Sequence, residues 1–291
     1  MASSVIFDSA ALRAHRRRAA PGFGAHDFLM REVTARVVDR VGDTNRDFPL
    51  AVEFGCHGDL LADALGGHSR IGRLVQCANL ADYLPDTASA NRLVADDEFV
   101  PFAAGSVDLA LSVLNLHWVN DLPGTLVQVR RALKPDGLLL AAMLGGDTLH
   151  ELRYALMQAE VAIEGGVTPR VSPLVDVASL GGLLQRAGFA LPVVDVDTIT
   201  VTYPDALALM RELRGMGETN AATARRKSFS RRKTMLATVE AYHDEFADAD
   251  GRIPATFQML YMSAWRPHES QQQPAARGSA TVSLTDALHS K

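Results

Sequence analysis

Cysteine is almost missing from this chain: only Cys56 and Cys77 occur in 291 residues. That excludes a disulfide framework, and neither residue has the spacing of a metal knuckle, so both are read as small core residues of a reducing compartment. Long apolar runs are also missing. The strand-like stretch Leu138–Leu144 is closed by Gly137 and Gly145 and falls far short of the roughly 20 residues needed to cross a bilayer, so no membrane span is expected. Nor is there an excess of positive charge: the net charge is −5, which gives no electrostatic reason to expect nucleic-acid binding. What the chain has in quantity is apolar substance, 47% of its residues, enough for one large core.

Basic residues cluster at the start, where Arg13, Arg16, Arg17 and Arg18 face only Asp8 as an acid, a transit-peptide-like composition that lacks the long hydroxylated stretch. Beyond it, apolar periodicity predicts a helix over 27–41, then a strand over 50–54 that runs straight into a glycine-containing turn. Strands are expected at 74–78, 93–95, 107–112 and 138–144, with a helix over 122–133 and a turn at Pro135-Asp136-Gly137. Alternation of this kind implies an α/β fold, a mostly parallel, doubly wound Rossmann-like sheet. Helical pattern follows to about 164 and again over 176–187, stopping at Gly188. The alternating run 193–203 reads as an edge or antiparallel strand paired with 255–265. Helices over 205–216 and 231–246 between them would cap the site. The expected organisation is an N-terminal helical segment, 1–45, a main domain, 46–268, with cap helices at about 146–188 and 204–247, and a polar tail, 269–291.

An open parallel sheet gathers ligands at the carboxyl ends of its central strands. Those ends hold Glu53, Gly55, Cys56, His57 and Asp59, then Asn79, then Asp96, Asp97 and Glu98, then Leu114, Asn115, His117 and Trp118. Asn79 stands where an acid would take ribose hydroxyls; its amide can still hydrogen-bond them, without charge assistance. Asp96 or Glu98 could accept from an adenine amino group. Glycine at such a turn lets backbone approach a ligand closely, and His57 and Asp59 add bulk and negative charge there. His57-Gly58-Asp59, with His117, also has the residue types of an iron facial triad, but such spacing arises often by chance and no metal is expected. The basic run Ala224–Lys233 could dock an acidic carrier protein, or be a solvated loop.

The stretch LNLHWVNDLPGTLVQVRRALKPDGLLLAAMLGGDTLHELR (114–153), with VSP (171–173), LQRAGF (184–189), VDVDTITVTYP (194–204), LRGMGETN (213–220), DGRIPATFQMLYMSAW (250–265), HESQ (268–271) and RGSATVS (277–283), resembles the complex I assembly factors with a methyltransferase fold that act as arginine hydroxylases. The frame and the LHWV region are more distantly similar to the malonyl carrier-protein methyltransferases of biotin synthesis. The resemblance implies a class I methyltransferase fold, S-adenosylmethionine (SAM) as cofactor, and hydroxylation of an arginine in the quinone-proximal subunit of complex I. By position it makes Gly55 the first glycine of the cofactor loop and Asp96 the adenine-side acid, and it puts 114–117 at the wall of the fourth strand. His57, Asp59 and Asn79 stand where the family has glycine, glycine and an acid. Because the likeness begins near Phe7, little is left for a presequence, and a bacterial cytoplasmic protein, peripheral at the inner membrane, is expected. Three readings stay open: a modifier of a protein arginine, with Glu218, Asp147 and Glu212 as guanidinium-binding candidates; a methyltransferase acting on a carboxylate of a carrier protein or small molecule; and a non-catalytic assembly chaperone. Candidate catalytic groups are Glu218, Asp147, His117 and Trp118.

Overall fold

The computed structural model describes residues 5–84 and 91–272, together with 278, 279, 283 and 285. The central sheet has seven strands: β1 (Phe48–Phe54), β2 (Ile71–Ala78), β3 (Asn91–Val94), β4 (Val107–Val113), β5 (Leu133–Leu144), β6 (Ala190–Tyr203) and β7 (Ile253–Trp265). Their order is β3-β2-β1-β4-β5-β7-β6. The first five pair in parallel, and β7 runs antiparallel between β5 and β6. The order reverses between β1 and β4, and a crevice opens at such a reversal.

Among the described residues, eight α-helices surround the sheet: α1 (Ser9–Ala19), α2 (Phe28–Gly42), α3 (Leu60–Ala64), α4 (Leu122–Ala132), α5 (His150–Glu164), α6 (Val177–Arg186), α7 (Ala206–Gly215) and α8 (Arg232–Phe246). Four begin as their sequences dictate. Asp8, Asp121, Asp176 and Asp205 each accept a hydrogen bond from the backbone N–H three residues on, satisfying one of the donors a helix start leaves free. One face of the sheet packs Val33, Val37, Leu152, Leu209 and Tyr242 of α2, α5, α7 and α8. The other packs Leu126, Val129, Leu180 and Leu184 of α4 and α6. Strands β4 and β5 are buried on both sides, which is why their sequences are continuously apolar rather than alternating.

The structure differs from the sequence expectations at one turn. The turn at 135–137 does not precede β5 but lies inside it, as an irregularity where the register with β4 shifts between Val107 and Leu109 and Asp136 takes φ 62°. The arginine-rich start, which has the composition of a targeting peptide, is helix α1, packed against the body. Asn120 Oδ1 accepts from the backbone of Ile6 and Phe7 at 2.8 and 2.7 Å, and Arg225 donates to Asp8 at 2.9 Å. Residues 277 and 280–282 of the 277–283 segment of the resemblance, and most of the polar tail, fall outside the described residues.

Candidate functional site

At the carboxyl end of β1 the chain turns at Gly55, whose φ of 77° favours glycine. The amides of Gly55 and Cys56 donate to the carbonyl of Cys77 at 2.9 and 2.8 Å, and that of Gly58 to Tyr83 at 2.8 Å, so the loop is folded back on the end of β2. Glu53 beneath it is 3% exposed; its carboxyl accepts from Gln76 Nε2 at 2.9 Å, and the same amide reaches the Gly58 carbonyl at 3.0 Å. Burial pushes the Glu53 carboxyl up to about 8, against the opposing effect of the Gln76 bond, so it keeps its proton at neutral pH. Burial likewise pushes the Cys77 thiol up to about 12 and the Cys56 thiol upward, which leaves both inert, as expected of core cysteines.

His57 does not project into free space over the loop. Its ring stacks on Phe23, centroids 5.4 Å apart, and meets Tyr83 edge-on at 4.9 Å. Burial, reinforced by the Arg16 charge, lowers it to about 3, so the imidazole is neutral. Asp59 is the residue that opens α3. The first loop has thus kept a turn at Gly55 and Gly58 while handing its bulky residue to an aromatic cluster.

Around this loop the ends of β2, β3 and β4 converge on Asp97. Asn79 Nδ2 and Asn115 Nδ2 both donate to its carboxylate, the latter at 3.0 Å, and Arg16 of α1 lies 3.7 Å away. Asn115 packs directly on Gly55: a Cβ added there would lie 2.0 Å from the Asn115 side chain. Asp96, the adenine-side candidate, is exposed and caps the Glu98 amide at 2.9 Å. Glu98 instead holds the backbone of Asn120 at 2.9 Å. Leu114, at the end of β4, is held in a left-handed conformation, φ 47°, an unusual state for leucine of the kind that gathers at functional turns.

His117 and Trp118 follow in a 3₁₀ turn, and both meet Glu218 on the loop after α7. His117 Nε2 is 3.1 Å from the Glu218 carboxylate, and the indole N–H donates to it at 3.0 Å. Burial works against the charge on Glu218, but His117, Arg16 and Trp118 outweigh it and hold the carboxyl below its ordinary value. This triplet forms one wall of a cavity of about 660 Å³ whose other walls include Leu114, Leu152 of α5, Met210 and Leu213 of α7, Met235 of α8 and Phe257. Arg170, Arg214, Arg225 and Arg226 also line it. Helices α5, α7 and α8 thus contribute residues to the walls of this cavity.

Of the candidate catalytic residues, the structure gathers Glu218, His117 and Trp118 and leaves Asp147 apart, exposed on the surface and bonded to Gln258 at 2.7 Å. Glu212 pairs with His26 at 2.9 Å. In the basic run, Arg225 and Arg226 pair with Asp8 and Glu164, so part of it stitches the fold together. His57 and His117 belong to the site, but no cluster of metal-ligating side chains occurs among the described residues. Sequence reasoning missed Arg16, which is 3% exposed, and Tyr83, 4% exposed. The only signal for either was an arginine at helical spacing from Leu12 and Ala19, on the face α1 buries.

Residues 52–141 match the family model of the methyltransferase domain. The human mitochondrial arginine hydroxylase NDUFAF5 is 46% identical over 96% of this chain and 82% of its own length. The chain belongs to the NDUFAF5 family. The zebrafish (Danio rerio) NDUFAF5 is likewise 46% identical, over 90% of this chain and 82% of its own length. A malonyl-[acyl-carrier protein] O-methyltransferase of Methylovorus is 35% identical over 91% of this chain and 92% of its own. Among solved structures, the YcgJ protein of Bacillus subtilis aligns with a TM-score of 0.56 at 11% identity, covering 81% of this chain and 98% of its own. The phosphoethanolamine N-methyltransferase 2 of Haemonchus contortus, solved with S-adenosyl-L-methionine, aligns with a TM-score of 0.50 at 14% identity, covering 86% of this chain and 57% of its own. These likenesses show the fold: a class I methyltransferase sheet, as the strand order also requires.

Proposed function

We propose that this protein binds SAM at the β1–β4 crevice and modifies an arginine side chain of a respiratory complex I subunit during assembly, hydroxylation being the activity named for its NDUFAF5 relatives. The observation that carries the reading is Glu218: a largely buried carboxylate held charged by His117 and Trp118 on the wall of a large, mostly apolar cavity. A guanidinium entering there would find an oriented anion and apolar walls for its methylene stem. Among groups the chain could offer a cation, Glu218 is better placed than Asp147, which is exposed.

The crevice fits the cofactor on its donor set. The backbone at Gly55, Cys56, His57 and Gly58 would flank its amino-acid end, Asn79 and Asp97 its ribose, Asp96 its adenine edge, and Leu114 its sulfur side. Several buried polar atoms around these positions lack any partner among the described residues, including Asn115 Oδ1 and His57 Nδ1, as in a site built for a polar guest. When bound, SAM would supply an electrophilic methyl group to a methyl-transfer reaction; adding oxygen to an arginine would instead take one atom of dioxygen, the other leaving as water, with two electrons from a reductant outside the chain, whose own contribution is to orient the arginine and exclude water. No helix among the described residues is long and apolar enough to cross a membrane. On the NDUFAF5 likeness alone, the proposed place of action is the cytoplasmic face of a bacterial inner membrane, with a complex I subunit as the proposed partner.

The test is mass spectrometry of complex I peptides from cells lacking the chain, complemented with the natural protein or with Glu218→Gln. One added oxygen on an arginine should appear with the natural protein and vanish with the folded variant. If the oxygen remains, Glu218 is not at the reacting site; if it never appears with the natural protein, hydroxylation is wrong.

A second reading, methylation of a carrier-bound carboxylate, is favoured by the Methylovorus relative and by Arg214, Arg225 and Arg226 at the cavity. Methyl transfer to malonyl carrier protein, lost when Arg214 is neutralised, would support it. The third reading, a non-catalytic assembly chaperone, predicts that a folded Gly55→Trp variant still supports complex I assembly; loss of assembly by that variant would count against it.

A further inference from the structure

Arg16 is an unusual residue for a helix of this composition. It is 3% exposed, it comes from α1 rather than from the sheet, and it reaches the Asp97 carboxylate with one nitrogen only, at 3.7 Å. Its Nε and its other terminal nitrogen have no hydrogen-bond partner among the described residues. Leaving buried guanidinium donors unpaired is costly, so such a group signals a missing acceptor.

The acceptor's place is marked by its neighbours. The Tyr83 hydroxyl, the His57 Nδ1 and the His117 Nδ1 are also buried and unpaired. They are contiguous with Arg16: His57 and Tyr83 touch at 4.9 Å, and Arg16 acts electrostatically on His57, Tyr83, Asp97 and Glu218. The loop at Gly55 and Gly58 borders the same space, and a Cβ added at Gly58 would meet nothing within 4 Å, so there is room beside it. Unsatisfied donors of an arginine and a tyrosine, beside an open glycine turn, make a receptor for a two-oxygen anion.

We infer that Arg16, assisted by Tyr83, binds the α-carboxylate of the cofactor's amino-acid end, so that the N-terminal helix supplies the carboxylate-recognising half of the cofactor site. This rests on the cofactor reading given above. It also assigns a role to the arginine-rich start. Arg16 is buried toward the ligand, whereas Arg13, Arg17 and Arg18 are not among the buried residues of α1. Docking of α1 and cofactor binding are then linked: besides its ties through Asn120 and Asp8, the helix is held along its length by His15 Nδ1, 3.0 Å from the Thr219 carbonyl, and by Leu12, which packs with Trp118 and Ala221.

The test compares two nucleosides in calorimetric titrations of the full chain: S-adenosylhomocysteine, which carries the amino-acid carboxylate, and 5′-methylthioadenosine, which lacks it. The natural protein should prefer the first by roughly 10- to 100-fold, the usual reach of a charge-assisted bidentate contact. Arg16→Gln should remove that preference by weakening S-adenosylhomocysteine alone, and Arg16→Lys should retain part of it. S-adenosylhomocysteine, but not 5′-methylthioadenosine, should slow tryptic cleavage at Arg13, Arg17 and Arg18. Equal affinity of the natural protein for the two nucleosides overturns the assignment and leaves the cofactor reading standing, and this arm needs no variant to fold. A preference undiminished in folded Arg16→Gln also overturns it. Binding of neither nucleoside overturns both the assignment and the cofactor reading.

Discussion

Replacing Glu53 by glutamine should change how the stability of this protein depends on pH. Glu53 is 3% exposed at the end of β1, and burial raises its carboxyl from 4.5 to about 8. An acid with a higher value in the folded chain keeps its proton where the unfolded chain has lost it. Unfolding between about 4.5 and 8 therefore releases a proton, and this group's contribution to stability falls as pH rises through that window. The interval is worth roughly 4–5 kcal/mol at about 1.4 kcal/mol per pH unit, and relaxation around the ionised group reduces this to about 3 kcal/mol. Glutamine keeps the shape, and its carbonyl can still accept from Gln76 Nε2, which lies 2.9 Å from the present acceptor. Urea unfolding of both proteins across the window isolates the group, because every other titration is common to the two. Glu53→Gln should gain about 3 kcal/mol relative to the natural protein between the acid and alkaline ends. Parallel stability profiles would show that Glu53 ionises in the fold as readily as in water, and the reasoning from burial would be refuted.

Three further outcomes are expected. Gly55→Ala, which must place a Cβ 2.0 Å from Asn115 at a φ of 77°, should cost about 3 kcal/mol or more, whereas Gly58→Ala, strained at φ 68° but with open space, should cost only about 1 kcal/mol; equal losses in thermal unfolding would contradict the packing of Asn115 on the loop. Tyr242→Phe removes the hydroxyl that donates to the Pro254 carbonyl at 2.7 Å between α8 and β7, and denaturant unfolding should show a loss of about 1–2 kcal/mol. Asn120→Ala cuts the ties to Ile6 and Phe7, so limited trypsin digestion should release α1 faster while the rest of the chain keeps its circular dichroism; an unchanged rate would mean that the other contacts of α1, such as His15 with the Thr219 carbonyl and Asp8 with Arg225, suffice to hold it.

The strand and helix pattern was legible because apolar periodicity records burial directly. The runs at 107–113 and 138–144 are apolar on both faces because helices cover both sides of them, and 193–203 alternates because it forms the edge strand β6. The turn inside β5 was less legible: a proline and a glycine mark a turn, but whether the strand resumes on the near or the far side depends on the partner strand. Among the candidate site residues, Glu53, Gly55, Asn79, Asp97 and His117 could be picked out because they lie at or just beyond strand ends, where an open sheet binds ligands.

What the sequence determined by itself was the class of fold, the parallel core with one reversed strand, and the family, since these follow from local periodicity and from motifs such as GMGETN. What only the tertiary structure decided was the company each site residue keeps. His57 alone reads as an obstruction in a glycine loop, yet it lies neutral between Phe23 and Tyr83. Asp147 and Glu218 are equally plausible acids in the sequence, but one is exposed and the other is seated between His117 and Trp118, which lie 101 and 100 positions away in the chain. Arg16 was marked only by its helical spacing from Leu12 and Ala19. Charge, burial and hydrogen bonding between residues remote in the chain are set by how the helices dock on the sheet, and no local pattern of residues encodes that docking.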